Sequence, residues 1–215
     1  MEGLSGIILF IISFYATINF YRLYSIDRRI IHFCLGTSAA FLALIGIASF
    51  LAIFFPVLDP LFIGEWSTVF SVSLVLSAAA ALLREFRPVF SRFPKSFTFA
   101  PLILILVYPL IIETVIVKQW ALALYQGSAL LISLLIYSYR TKKDGSYAYM
   151  LVGVLFFAIT FVMYWIPETY FDFPAYAWML LTSCGILIVT VGYNQIYNLD
   201  EQLLDQEQRR ETWFV

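Results

Sequence analysis

Charge is scarce in this chain. Only 13% of its 215 residues are Asp, Glu, Lys or Arg, about half the roughly 25% of soluble domains. The net charge is −1, so the chain lacks the basic surface that a phosphate backbone demands, and nucleic acid is excluded as a partner. Histidine is almost missing as well, His32 being the only one. One histidine cannot ligate a haem on both axial faces, so bis-histidine haem is excluded. The two cysteines, Cys34 and Cys184, lack metal-site spacing and fall inside apolar runs, where they read as buried thiols. No metal centre is expected. Nucleophile motifs, Gly-rich phosphate loops and paired carboxylates are absent. Chemistry inside a bilayer would need an acid, a histidine or a metal set at depth, so the expectation is a non-enzymatic protein. Met1-Glu2-Gly3 lacks the basic start of a cleaved signal, and the first apolar run reads as a span.

What is abundant is apolar length. Hydrophobic residues make up 62% and aromatics 19%. A hydrocarbon core of about 30 Å needs roughly 20 helical residues, and seven runs meet that need: Leu4–Tyr24, Ile30–Phe55, Glu65–Leu83, Phe97–Ile116, Gln119–Tyr139, Tyr147–Ile166 and Ala175–Tyr197. They are continuously apolar rather than alternating, which selects helices over a barrel. The expected fold is all-α: one bundle of seven transmembrane helices over residues 1–198, then a short helical tail over 199–215. Twelve of thirteen basic residues fall in alternate gaps or the tail: Arg22, Arg28 and Arg29; Arg84, Arg87, Arg92 and Lys95; Arg140, Lys142 and Lys143; Arg209 and Arg210. Lys118 alone falls on the other side. Short cytoplasmic loops carry the excess of Lys and Arg. The amino terminus is therefore expected outside and the carboxyl terminus in the cytoplasm, by analogy in a prokaryotic inner (plasma) membrane. The lipid bilayer itself is the first partner, its anionic heads meeting the basic loops.

Proline and tryptophan punctuate these runs. Pro56 and Pro60 close the second span, Pro167 and Pro174 bracket the sixth loop, and Pro109 is expected to bend the fourth span. Trp66, Trp120, Trp165 and Trp178 mark the outer boundary with Tyr164, Tyr170 and Tyr176, an aromatic belt at headgroup depth. The first three spans and the last three share a layout. An offset of about 111 residues lays Arg140 on Arg29 and Pro167 on Pro56, the layout of a parallel three-plus-one-plus-three repeat such as sugar carriers of the SWEET type have.

Ionisable groups deep in a bilayer are costly and usually functional. Glu65 at the start of the third span and Glu113 near the outer end of the fourth adjoin apolar helix, and are candidates for ligand or ion contact. With Asp59, Glu168 and Asp172 they would form an acidic outer vestibule. Trp66 and Trp178 could rim a site for an aromatic or cationic ligand, and Gln126, two turns into the fifth span, needs a partner or a cavity. His32 reads as an interfacial or packing residue. Ser67, Ser71, Ser73 and Ser77 on the third span, and Thr182, Gly185 and Gly192 on the seventh, are small-residue packing faces.

Glu65-Trp66-Ser67-Thr68 is similar to the acid-Trp-Thr stretch of microbial rhodopsins, which also have seven spans and an outer amino terminus. Those proteins hold retinal as a Schiff base on a lysine of the last span, and no lysine follows Lys143 here. A retinal Schiff base is excluded, a similar fold is not, and no cofactor is predicted. After Tyr197 the chain favours helix throughout, with Leu199 and Leu203 on one face as candidate contacts for a membrane or cytoplasmic protein. Three functional expectations follow: a receptor-, sensor-like or adaptor domain working through protein partners, a small solute carrier or channel, or a structural or pigment-holding subunit of a larger membrane complex.

Overall fold

The computed structural model describes residues 2–55, 60–86, 88–110, 115–165, 174 and 176–212. These residues contain helix and no strand. The helices are α1 (Glu2–Asp27), α2 (Ile30–Leu51), α3 (Pro60–Phe86), α4 (Pro88–Ser91), α5 (Ile103–Val107), α6 (Val115–Lys143), α7 (Ala148–Trp165) and α8 (Tyr176–Thr212). Stretches of 3₁₀ helix cover Lys95–Leu102, Tyr108–Leu110 and Gly145–Tyr147. Six helical stretches are long and apolar enough to cross a membrane: Gly3–Asp27, Ile30–Leu51, Ile63–Phe86, Ile116–Lys143, Gly145–Trp165 and Tyr176–Tyr197. The chain is a helical protein of multi-span, membrane-like architecture.

The fourth expected span differs from the rest. Instead of one α-helix over Phe97–Ile116, the chain is 3₁₀ over Lys95–Leu102, α over Ile103–Val107 and 3₁₀ again over Tyr108–Leu110. Pro101 lies within the first 3₁₀ stretch and Pro109 within the second. Each lacks an amide donor and crowds the preceding turn, so regular α-helix fits only the five residues between. The segment still runs the length of the bundle. Phe86, at the end of α3, lies 3.9 Å under the Arg140 guanidinium near the end of α6. Near the start of α3, Glu65 meets both Tyr108 and Lys118 of early α6. Helices α3 and α6 are therefore parallel, and the chain between them returns along α3.

The long helices close a ring in chain order. Helix α1 packs on α2 and α8, α2 on α3, α3 on α6, α6 on α7, and α7 on α8. Two of these crossings are built on glycine. A Cβ on Gly46 of α2 would come within 2.6 Å of the Gly6 carbonyl oxygen of α1, and on α7 a Cβ at Gly153 would come within 3.1 Å of the Gly185 carbonyl oxygen of α8. Small residues let helix backbones approach closely where lipid gives no hydrophobic drive to associate. The α2–α3 contact is polar at its centre, the Ser38 and Ser71 hydroxyls pairing at 2.8 Å. Ser67, Ser71, Ser73 and Ser77 are all buried, as the packing face required. Cys34 is buried on α2 in a cluster with Leu74 and Ala78. Cys184 departs from expectation: it is exposed, on the outside of the ring, because the neighbouring Ser183 and Gly185 take the inward positions on α8.

Candidate functional site

The most connected polar site lies at the basic end of the ring, around the turn between α1 and α2. Helix α1 ends where Arg28 adopts φ 55°, a left-handed conformation uncommon outside glycine. The Asp27 carboxylate organises the two-residue turn. Its Oδ1 accepts the backbone N–H of Arg29 at 3.0 Å, an Asx-type turn, and its Oδ2 pairs with Arg29 Nε at 3.3 Å. The same Oδ1 lies 3.0 Å from Nδ1 of His32.

His32 is 5% exposed. Its ring stacks on Phe20 of α1, with centroids 6.4 Å apart, and stands edge-on to Tyr193 of α8 at 5.3 Å. Phe20 meets Tyr193 at 5.4 Å as well. The Tyr193 hydroxyl pairs with that of Tyr137 on α6 at 2.8 Å. One turn further along α6, Arg140 Nη1 donates to the Tyr147 hydroxyl at 2.6 Å. A carboxylate, an imidazole and two phenols thus link α1, α2, α8 and α6 in series. Around them Ile31, Ala81, Leu82, Ile136, Met150 and Val154 form one buried cluster with Tyr137, and Leu35 and Tyr193 pack against it. Nearby, outside the spans, Asp144 caps the turn into α7. The Ser146 N–H that it accepts at 2.9 Å holds its carboxyl below the usual range.

The opposite end carries the residues singled out by sequence, in two groups. Glu65 Oε1 accepts the Tyr108 hydroxyl at 2.6 Å and the Lys118 ammonium at 3.3 Å. Lys118 Nζ lies 4.9 Å from the Tyr108 ring centroid, and Trp66 stands edge-on to that ring at 5.9 Å. In the second group Gln126 Oε1 accepts the Trp165 indole N–H at 2.8 Å. Trp165 touches Tyr164, which meets Trp178 of α8. Glu113, Asp59, Glu168 and Asp172 lie outside the described residues, so of the expected vestibule only Glu65 is placed, already paired with a cation. Leu199 and Leu203 lie on the stretch of α8 that continues to Thr212.

Sequence reasoning passed over two partners here and one pair at the other end. Lys118 reads as a stray outer cation, yet it is the counter-ion of Glu65. Tyr108 has no signal beyond its place beside Pro109. The Asp27–His32 pair does carry one: a carboxylate closing one helix, two basic turn residues, and a histidine in the first turn of the next.

Membrane-length helices closed in a ring, with polar and aromatic groups gathered at both ends, define a polytopic helical membrane protein. Compared with known families, characterised proteins and solved structures, the chain matches none of them.

Proposed function

We propose that this chain is a receptor- or sensor-like membrane domain that acts through a protein partner, with α8 as its output element. The observation that carries this reading is the length of α8. Its membrane-length part ends at Tyr197, and the same helix continues unbroken to Thr212. At 1.5 Å per residue, residues 198–212 reach about 22 Å past the ring. Tyr193, one turn before that exit, is held by α1, α2 and α6, so a shift in the ring would move the projecting part as a lever.

In this reading the protein has seven spans, with the amino terminus outside and the carboxyl terminus in the cytoplasm of a prokaryotic inner membrane. The fourth segment supports the count. Eleven 3₁₀ residues at about 2.0 Å and five α residues at 1.5 Å give Lys95–Leu110 a length of about 30 Å, equal to a hydrocarbon core of about 30 Å.

The test is deletion of 199–215 in the native host, with a photo-crosslinking residue placed at Leu199 and at Leu203 in the intact chain. The reading expects a folded membrane domain that loses its phenotype on deletion, and a tail that crosslinks to one protein. A deletion that leaves every partner and phenotype intact would sink it.

A solute carrier is the second reading. It is favoured by the succession of neighbours, α1–α2–α3 and α6–α7–α8 closed by α3–α6 and α8–α1, which a parallel three-plus-one-plus-three repeat would produce. A carrier would have to open the inner closure at Tyr137 and Tyr193, so Tyr193→Ala should raise solute flux into liposomes. Gentle detergent purification, with an absorption spectrum and mass spectrometry of co-eluting species, separates both readings from a pigment-holding or structural subunit.

A further inference from the structure

We infer that Asp27 and His32 form a proton-binding site that latches α8 to the turn between α1 and α2. The inference rests on α8 being the output element and names what regulates it. A buried ionisable residue at a membrane boundary is retained against a desolvation cost, and His32 is the chain's one histidine. Histidine is also the side chain whose ordinary pKa, about 6.5, falls within the physiological range.

The geometry sets the direction of the response. A neutral His32 donates from Nδ1 to Asp27 Oδ1 across 3.0 Å and presents an uncharged ring to its aromatic neighbours. Adding a proton at Nε2 turns that hydrogen bond into an ion pair. It also places a cation in a site only 5% exposed, beside a carboxylate already shared with Arg29, so the desolvation cost of the charge exceeds what Asp27 returns. The packed arrangement therefore favours the neutral ring, and the grip on α8 relaxes as pH falls and tightens as pH rises.

The other groups at the site favour or shape this response. From the turn, Asp27 faces the imidazole and Arg29 shares that carboxylate. From α3, Glu85 lies within electrostatic range of Asp27, Arg29 and the α6 residue Arg140. From α8 comes Tyr193, backed by Tyr137 of α6. Among these charges and phenols, none but the histidine ordinarily titrates between pH 5 and 8. Burial opposes the added proton most, and Arg29 opposes it weakly, while Asp27, nearer to the ring than Arg29, favours it.

The full-length protein, labelled with ring-¹⁵N histidine in lipid nanodiscs, gives a single imidazole signal. That signal should titrate between pH 5 and 8. Amide exchange over 190–205, corrected for intrinsic rates, should be roughly fivefold or more faster at pH 5.5 than at pH 8, the span of a modest coupling energy. In His32→Gln it should be independent of pH over this range, and Asp27→Asn should shift the wild-type midpoint downward. An imidazole that does not titrate in this window overturns the latch without reference to any variant. So does equal pH dependence of α8 exchange in wild type and His32→Gln. Neither readout involves a partner protein, so a failure of the latch is distinct from a failure of the output reading.

Discussion

Two phenols carry the tightest polar link between distant helices at the basic end of the ring. Tyr137 is 5% exposed, and its hydroxyl is paired with Tyr193. A buried donor that loses its partner costs about 1–3 kcal/mol, whereas replacing both partners by apolar groups of the same shape is nearly neutral. Tyr193→Phe and Tyr137→Phe should each lower stability by about 1–2 kcal/mol, and the double variant should recover most of that loss. Unfolding of the four proteins in one detergent closes the cycle, and strict additivity would show that the hydroxyls do not depend on each other. The outer ion pair should behave differently. Glu65 is 42% exposed and Lys118 27%, so solvent screens them, and Lys118→Ala should change stability by less than about 1 kcal/mol. Residue types were the legible part of both sites. Gln126 had to find a partner because an amide in lipid needs one, and the partner is Trp165. Which partner each group takes was not legible. Asp27 and His32 meet because Arg28 turns left-handed, and Lys118 meets Glu65 because a 3₁₀ segment brings α6 back beside α3. The second of these contacts does not follow from local spacing.

At the scale of helices, glycine decides where backbones touch. The α1–α2 crossing leaves no room for a side chain at Gly46, where a Cβ would lie 2.6 Å from both the Gly6 carbonyl oxygen and the Phe10 amide nitrogen. Both obstacles are backbone, so a whole helix must move. Gly46→Ala should destabilise the protein by about 1–3 kcal/mol, the usual cost of overpacking. Gly64→Ala, where a Cβ meets nothing within 4 Å, should be neutral or slightly stabilising through the higher helix propensity of alanine. Thermal unfolding of the pair would check the contrast, and equal midpoints would mean that α1 and α2 do not cross as described. Gly185 and Gly192 were readable as a packing face because they recur with Thr182 along one helix. Gly6, Gly46 and Gly153 were not, since each matters through a helix far away in sequence. The fourth segment taught a similar lesson. Pro109 alone signalled a bend, and the chain answered by winding most of Lys95–Leu110 as 3₁₀.

Across the whole molecule, the parallel course of α3 and α6 constrains every other placement. Arg140 over Phe86 joins their carboxyl ends, and Glu65 with Lys118 joins their amino ends. If Lys95–Leu110 lay flat on one surface, the chain would have to enter α6 from the end at which α3 finishes. The two helices would then be antiparallel and these contacts could not form together. Six crossings would also put both termini on one side of the membrane, and would divide the basic residues of the two halves between opposite faces. The proposed seven crossings would keep Arg28, Arg29, Arg84, Arg140, Lys142 and Lys143 on a single face, in line with the positive-inside rule. Single cysteines introduced into a variant lacking Cys34 and Cys184 give the direct measurement. In intact cells, a membrane-impermeant maleimide should label a cysteine replacing Gly64 or Val117 but not one replacing Gly145 or Asn198, and all four should react once the membrane is permeabilised. Labelling at Gly64, Gly145 and Asn198, and not at Val117, would mean that the fourth segment stays on one side. It would also put Glu65 and Lys118 on opposite faces of the bilayer, so that the ion pair between them, 3.3 Å long here, could not form in the membrane.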